Sequence, residues 1–181
     1  MFYKYCVVDI VQAKNFAKKK HVGQLRKNGK TTTFSHLQDV VKNLKKMKVT
    51  NEDIICAGWL HDTIEDTETD YDMIKDRFGK RVADIVVSVT KDNRLPKKQR
   101  EAKYAKDLRA SNAKAKLVKI ADILANVNDA PNAGKNAYWE KQQFVKKSKY
   151  WSYVSGVKPG KLAELTWAKN EWKRLQDKYS N

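Results

Sequence analysis

The sequence lacks most of the devices that staple small extracellular domains or interrupt helices. Only two cysteines occur in 181 residues, Cys6 and Cys56. They lie far apart with no CxxC or Cys/His spacing, which excludes a disulfide framework and a zinc knuckle and fits a reducing compartment. No run of 18 apolar residues is present, and the N-terminal MFYKYCVVDIVQAKNF is broken by Lys4 and Asp9. A signal peptide or membrane span is therefore not expected, and the chain reads as soluble and cytoplasmic with no membrane partner. Acidic residues are the minority, 21 Asp and Glu against 38 Lys and Arg. Such a basic field implies polyanionic partners, either phosphorylated nucleotides or, secondarily, nucleic acid.

Glycine and proline are also scarce, seven and three, and the segments between them carry apolar residues at three- and four-residue spacing. An all-α protein is expected. The length favours one domain spanning residues 1–181 with its own core and leaves no room for a second catalytic domain. Helices are predicted over the DIVQAKNFAKKKH segment, from Ser35 to about Met47, after Thr50, from Thr69 to Phe78, over RVADIVVSVTK, from Pro96 to about Arg109, and from Asn112 to about Val127. Two more, over about 136–179, carry Trp139, Trp151, Trp167 and Trp172. Thr50 with Asp53 resembles a capping box, and Thr69 is expected to cap the short helix that Gly79 closes. The third helix, with Ile54, Ile55, Ala57, Trp59 and Leu60, is apolar nearly all round and should be central; Cys56 belongs to that core.

What the basic chain does contain is one acidic exception. Residues 1–50 hold 12 basic against 2 acidic residues, whereas residues 51–100 hold 9 against 11, and the acids crowd into GWLHDTIEDTETD. On a continuous helix His61 and Glu65 are four apart, as are Asp62 and Asp66, so all four fall on one side of about two turns. Crowded carboxylates need a cation or hydrogen-bond donors to offset their repulsion, and a divalent metal is the usual solution. Glu68 and Asp70 read instead as the cap of the next helix. A mixed imidazole and carboxylate shell suits manganese, iron or zinc better than calcium. His36 could fold back toward His61, and Asp122, embedded in an apolar helix face, needs a metal, an amide or Lys119 as partner.

Three segments then resemble the HD-domain hydrolases of the RelA/SpoT family, especially their small stand-alone members: HVGQLRKNGKTTTFSH (21–36), HDTIEDT (61–67) and KLVKIADILANVND (116–129). FGKRVADIVVSVTKDNRLPKKQRE matches in order and spacing, and the resemblance covers about residues 9–130. It implies a helical HD-domain bundle in which His36, His61, Asp62 and Asp122 hold one divalent metal, usually manganese. Glu65 and Asp66 are implied to position or deprotonate the attacking water. Arg26, Lys27 and Asn28 are implied to hold base and ribose, with Asn126 a further nucleotide contact. The implied substrate is (p)ppGpp, whose 3′-pyrophosphate is removed to leave GDP or GTP.

Basic residues must also hold the substrate's phosphates, and Lys91, Arg94, Lys97 and Lys98 are candidates at the pyrophosphate end. The sequence departs from the family where Thr32 and Thr33 replace Pro-Tyr, Leu37 replaces Pro and Ile123 replaces a basic residue. Two other readings follow: the same chemistry on another nucleotide such as NADPH, or a non-catalytic basic protein that binds nucleic acid.

Overall fold

A computed structural model describes residues 9–26, 28–156 and 163–180. Lys27 and Cys6 lie outside the described residues. Among the described residues ten α-helices run in chain order: α1 (Ile10–Lys20), α2 (Thr33–Lys46), α3 (Glu52–Leu60), α4 (Thr63–Asp66), α5 (Tyr71–Phe78), α6 (Lys80–Val89), α7 (Lys97–Ala110), α8 (Ala113–Asp129), α9 (Ala137–Val154) and α10 (Ala163–Ser180), with a 3-10 turn at Ala130–Ala133. The only extended pairing among the described residues is an isolated bridge, Leu25 to Thr32, that pins the α1–α2 loop. The fold is all-α, and RVADIVVSVTK is helical through Val89 despite its β-branched residues, because Val82, Ala83, Ile85, Val86 and Val89 form one buried stripe, while Thr90 and Lys91 leave the helix.

Short polar side chains start most of these helices by accepting from the first free backbone N–H groups. Asp9, Thr32, Asn51, Asp70, Asn112 and Asn136 do so for α1, α2, α3, α5, α8 and α9. The caps of α3 and α5 are thus one residue later than Thr50 and Thr69. Asn51 and Asp70 accept from the N–H three residues on, while Asp53, the supposed capping-box partner, is buried and pairs with Arg81 (3.0 Å) and Lys114 (3.1 Å). Asp70 is the cap expected of it, but Glu68 pairs with Lys20 at 2.6 Å.

α3 is the hub. It is buried from Asp53 to Leu60 and packs against α1, α2, α6 and α8. Gly58 gives the close approach where α2 crosses it: a Cβ there would lie 2.7 Å from Leu44 Cδ1 and 3.3 Å from Val41 Cγ2. α8, buried from Leu117 to Ala125, is the second axis, and packs on α2, α6, α9 and α10. Trp172 of α10 stacks on Trp151 of α9, with ring centroids 4.4 Å apart and planes 8° from parallel. The crossing of α2, α3 and α8 brings His36, His61 and Asp122 to one place.

Candidate active site and metal centre

The helix that carries His61 does not continue through Glu65 as expected. α3 ends at Leu60, and His61 closes it by donating its Nδ1–H to the carbonyl of Gly58 at 3.0 Å. The chain re-enters a one-turn helix, α4, at Thr63, whose hydroxyl donates to Leu60 O at 2.6 Å. This break turns His61 and Asp62 toward α2 and α8 and sets Glu65 and Asp66 one turn further along the same cavity.

His36, His61 and Asp62 each offer a ligand atom within 4.8 Å of the others. Asp62 Oδ1 is 3.1 Å from His61 Nε2, and its Oδ2 is 3.7 Å from His36 Nε2. Asp122 Oδ1 completes the ring, 3.1 Å from His36 Nε2 and 3.8 Å from His61 Nε2. Three of the four sequence candidates thus form one ligand group, and Asp122 lies against both of its imidazoles.

Whether a cation fits can be judged from His61. Gly58 O is an acceptor only, so it fixes the proton of the neutral ring on Nδ1 and leaves the Nε2 lone pair pointing at carboxylates. That buried Nε2 has no hydrogen-bond partner. Burial opposes a charge on His61, but Asp62 and Asp122 override it and raise its pKa to about 10. His36, more strongly governed by burial, is lowered. The carboxylates favour a positive charge between themselves and the imidazoles, which a proton on His61 or a divalent cation would supply, and imidazole nitrogens with carboxylate oxygens are a donor set that fits such a cation.

Supporting contacts fix Asp122. Lys119 Nζ donates to its Oδ2 at 2.8 Å, and Asn126 Nδ2 donates to its Oδ1. Against the opposing cost of burial, Lys119 holds the Asp122 carboxyl well below the usual range. Asn126 also accepts from Arg26 Nη2 at 2.8 Å, and Arg26 Nε lies 3.2 Å from Asp129. Asn28 spends its side chain on the loop, accepting from the N–H groups of Lys30 and Thr31 and donating to the Thr31 hydroxyl.

These groups face a cavity of about 700 Å³. Arg26, Asn28, Glu65, Asp66 and Asn126 all line it, together with Lys91, Asn93 and Lys119. Burial, then the neighbouring Asp62 and Glu65 charges, raise Asp66 to about 6. Thr33 also lines the cavity, where the resemblance expects Tyr, whereas Ile123 is fully buried in the core and faces no substrate.

Lys97 and Lys98 are not brought in. They are exposed on the first turn of α7 and are absent from the cavity wall, because the loop after α6 turns Lys91 and Asn93 inward instead. Arg94 is likewise exposed, paired with Asp92 at 2.8 Å. The wall that sequence reasoning missed belongs to α9: Trp139, Gln143, Lys146, Lys147 and Tyr150. Their spacing of three and four is one helix face, the available signal, but it mixes charge with aromatic rings and resembles an ordinary surface. Lys147 is lowered to about 8 by burial, against the pull of Asp122.

The HD domain signature matches residues 13–149. The chain is 35% identical over 153 residues to the guanosine-3′,5′-bis(diphosphate) 3′-pyrophosphohydrolase of Xenopus tropicalis, covering 83% of each chain. It is 37% identical over 123 residues to that of Homo sapiens, covering 67% of this chain and 69% of the relative. A solved structure of a metazoan ortholog of SpoT, which hydrolyzes ppGpp, matches with a TM-score of 0.81 at 26% identity over 97% of both chains. With its helices, its four convergent ligand candidates and these relatives, the chain belongs to the HD-domain hydrolases of the RelA/SpoT family.

Proposed function

We propose that the chain is a guanosine-3′,5′-bis(diphosphate) 3′-pyrophosphohydrolase: a single HD-type cytoplasmic unit that uses manganese to remove the 3′-pyrophosphate of ppGpp or pppGpp. The observation that carries this reading is the meeting of His36, His61, Asp62 and Asp122 beside Glu65 and Asp66 in a cavity lined by Arg26, Lys91, Lys119 and Lys147. In it the first four residues are the metal ligands, and Lys119 and Asn126 hold Asp122 in place. A divalent cation bound there would acidify water and offset charge on the phosphate oxygens.

The chain's own groups supply the rest. Asp66, with its pKa near 6, takes the proton of the attacking water close to neutral pH. Glu65 is oriented by the Lys91 backbone N–H, which donates to its Oε2 at 3.0 Å, and it directs the water toward phosphorus. As the water oxygen bonds to phosphorus the P–O3′ bond breaks, the nucleotide's 3′ oxygen leaves and takes the proton held by Asp66, and the phosphoryl part is released as pyrophosphate. Arg26, with Lys27 and Asn28, serves the nucleoside end. Lys147, near Asp122, serves the phosphates.

Purified protein supplied with manganese should convert ppGpp to GDP and pyrophosphate, separated by ion-exchange chromatography. Folded, metal-loaded protein that leaves ppGpp intact would overturn the reading. Asp62→Asn should lose metal and turnover together, whereas Glu65→Gln should keep metal and lose turnover.

A further inference from the structure

The acid pair sits on a helix of only four residues, Thr63–Asp66, too short to hold its own geometry. Two carboxamide side chains grip it from opposite flanks. Gln24, in the α1–α2 loop, donates its Nε2–H to the carbonyl of Asp66 at 3.1 Å. Asn93, in the α6–α7 loop, donates its Nδ2–H to the carbonyl of Glu65 at 3.0 Å. Each amide is held in the orientation that presents its NH₂. His21 Nδ1 lies 2.7 Å from Gln24 Oε1, and since that oxygen only accepts, the imidazole must donate. Arg100 Nη1 likewise donates to Asn93 Oδ1 at 3.2 Å. The resulting tautomer accounts for His21 Nε2, which is buried without a hydrogen-bond partner. Gln24 and Asn93 both line the cavity.

We propose that Gln24 and Asn93 are positioning residues, which set the place of Glu65 and Asp66 relative to His61 and Asp62 by holding the carbonyls of residues 65 and 66. His21 acts behind Gln24 by fixing its amide. The inference rests on Glu65 and Asp66 being the water-handling acids. Neither amide needs to touch substrate: without them the turn keeps its helix connections at Leu60 and Thr63 and the Lys91 N–H on Glu65 but loses both lateral holds on its backbone, and misplacing a reacting group by about 1 Å costs on the order of 10²-fold in rate.

Two series test this. Gln24→Met and Asn93→Leu remove the whole amide, whereas Gln24→Glu and Asn93→Asp keep size and the acceptor but lose the donor. Each single variant should lower kcat about 10-fold, and each pair on the order of 100-fold, with KM for ppGpp, manganese affinity by calorimetry and melting temperature essentially unchanged. In a Glu65→Gln/Asp66→Asn background, Gln24→Met should change the residual turnover by less than about twofold, since the groups it positions are gone. Wild-type kcat in both series would overturn the inference, as would a fall accompanied by loss of metal affinity or of the fold, or a full 10-fold effect persisting when both acids are replaced. Wild-type protein that does not hydrolyse ppGpp would remove the functional reading itself, whereas an active wild type with unaffected variants would remove this inference alone.

Discussion

Asp122→Asn tests how the centre is held in the absence of any ion. Asp122 and Lys119 form a 2.8 Å pair whose side chains are only 6% and 9% exposed. Neutralising the carboxylate strands the Lys119 ammonium in the core, with the Tyr104 and Tyr150 rings at 5.2 and 5.5 Å as its remaining favourable neighbours. Removing one partner of a buried pair costs about 3–5 kcal/mol, because the other charge is left uncompensated. For a chain of this size 1 kcal/mol moves the melting midpoint by about 2–4 °C, so the variant should melt roughly 6–20 °C lower. Lys119→Met removes the stranded charge and fills similar volume, so the double variant should regain most of that loss. The assay is thermal and urea unfolding of the four chelator-treated proteins at pH 7, analysed as a double-mutant cycle. An Asp122→Asn protein within about 1 kcal/mol of wild type, or a double variant that loses the sum of the two single effects, would refute the account of Lys119 as the partner of Asp122.

Three further outcomes are expected. Manganese at a hundred times its dissociation constant should stabilise the wild type by about 2.7 kcal/mol, a shift of roughly 5–11 °C in a melting scan, and His61→Ala should abolish the shift while Glu65→Gln keeps it. Asp53→Asn should cost about 1–3 kcal/mol near neutral pH, since Lys114 and Arg81 outweigh burial and hold its carboxyl below 3.8. A depressed carboxyl stabilises the fold above its unfolded-state pKa and ceases to as pH falls through the folded one, so wild type and variant should converge in acid urea titrations; a constant gap would contradict the pairing. Gly58→Ala should destabilise even though alanine is the better helix former by about 1 kcal/mol. The new methyl meets Leu44 Cδ1 at 2.7 Å, and overpacking costs about 1–3 kcal/mol; a higher melting temperature would show that Leu44 can move aside freely.

The helices and the metal candidates were legible in the sequence because both depend on local spacing or on residue chemistry. An apolar run located α3 and apolar residues at three- and four-residue spacing located α8; the crowding of acids beside His61 marked the site, and the family resemblance assigned His36, His61, Asp62 and Asp122 as its ligand set. Cap identity was not legible at Thr50/Asn51 or Thr69/Asp70, since neighbouring residues can both cap and only the backbone direction selects one. The break between α3 and α4 escaped for a related reason: His61 bonding back to Gly58 ends a helix that propensity alone would continue. Lys97 and Lys98 looked as suitable for phosphates as Lys91, because a charged first turn reads the same whether it faces water or a cavity. The α9 wall needed tertiary information, since Trp139 and Tyr150 reach the cavity only by docking on helices formed from residues far away in the chain.

That wall makes the cation candidates and the nucleotide-facing surface separable along the chain. The four ring residues are complete once synthesis has passed Asp122, on helices that pack with one another through α2, α3 and α8. The enclosing face is not made until Lys147 and Tyr150 have followed. The ring and the enclosing face thus come from separate stretches of the chain, so substitutions at Trp139, Gln143 or Tyr150 alter the space offered to a nucleotide without replacing any ring residue.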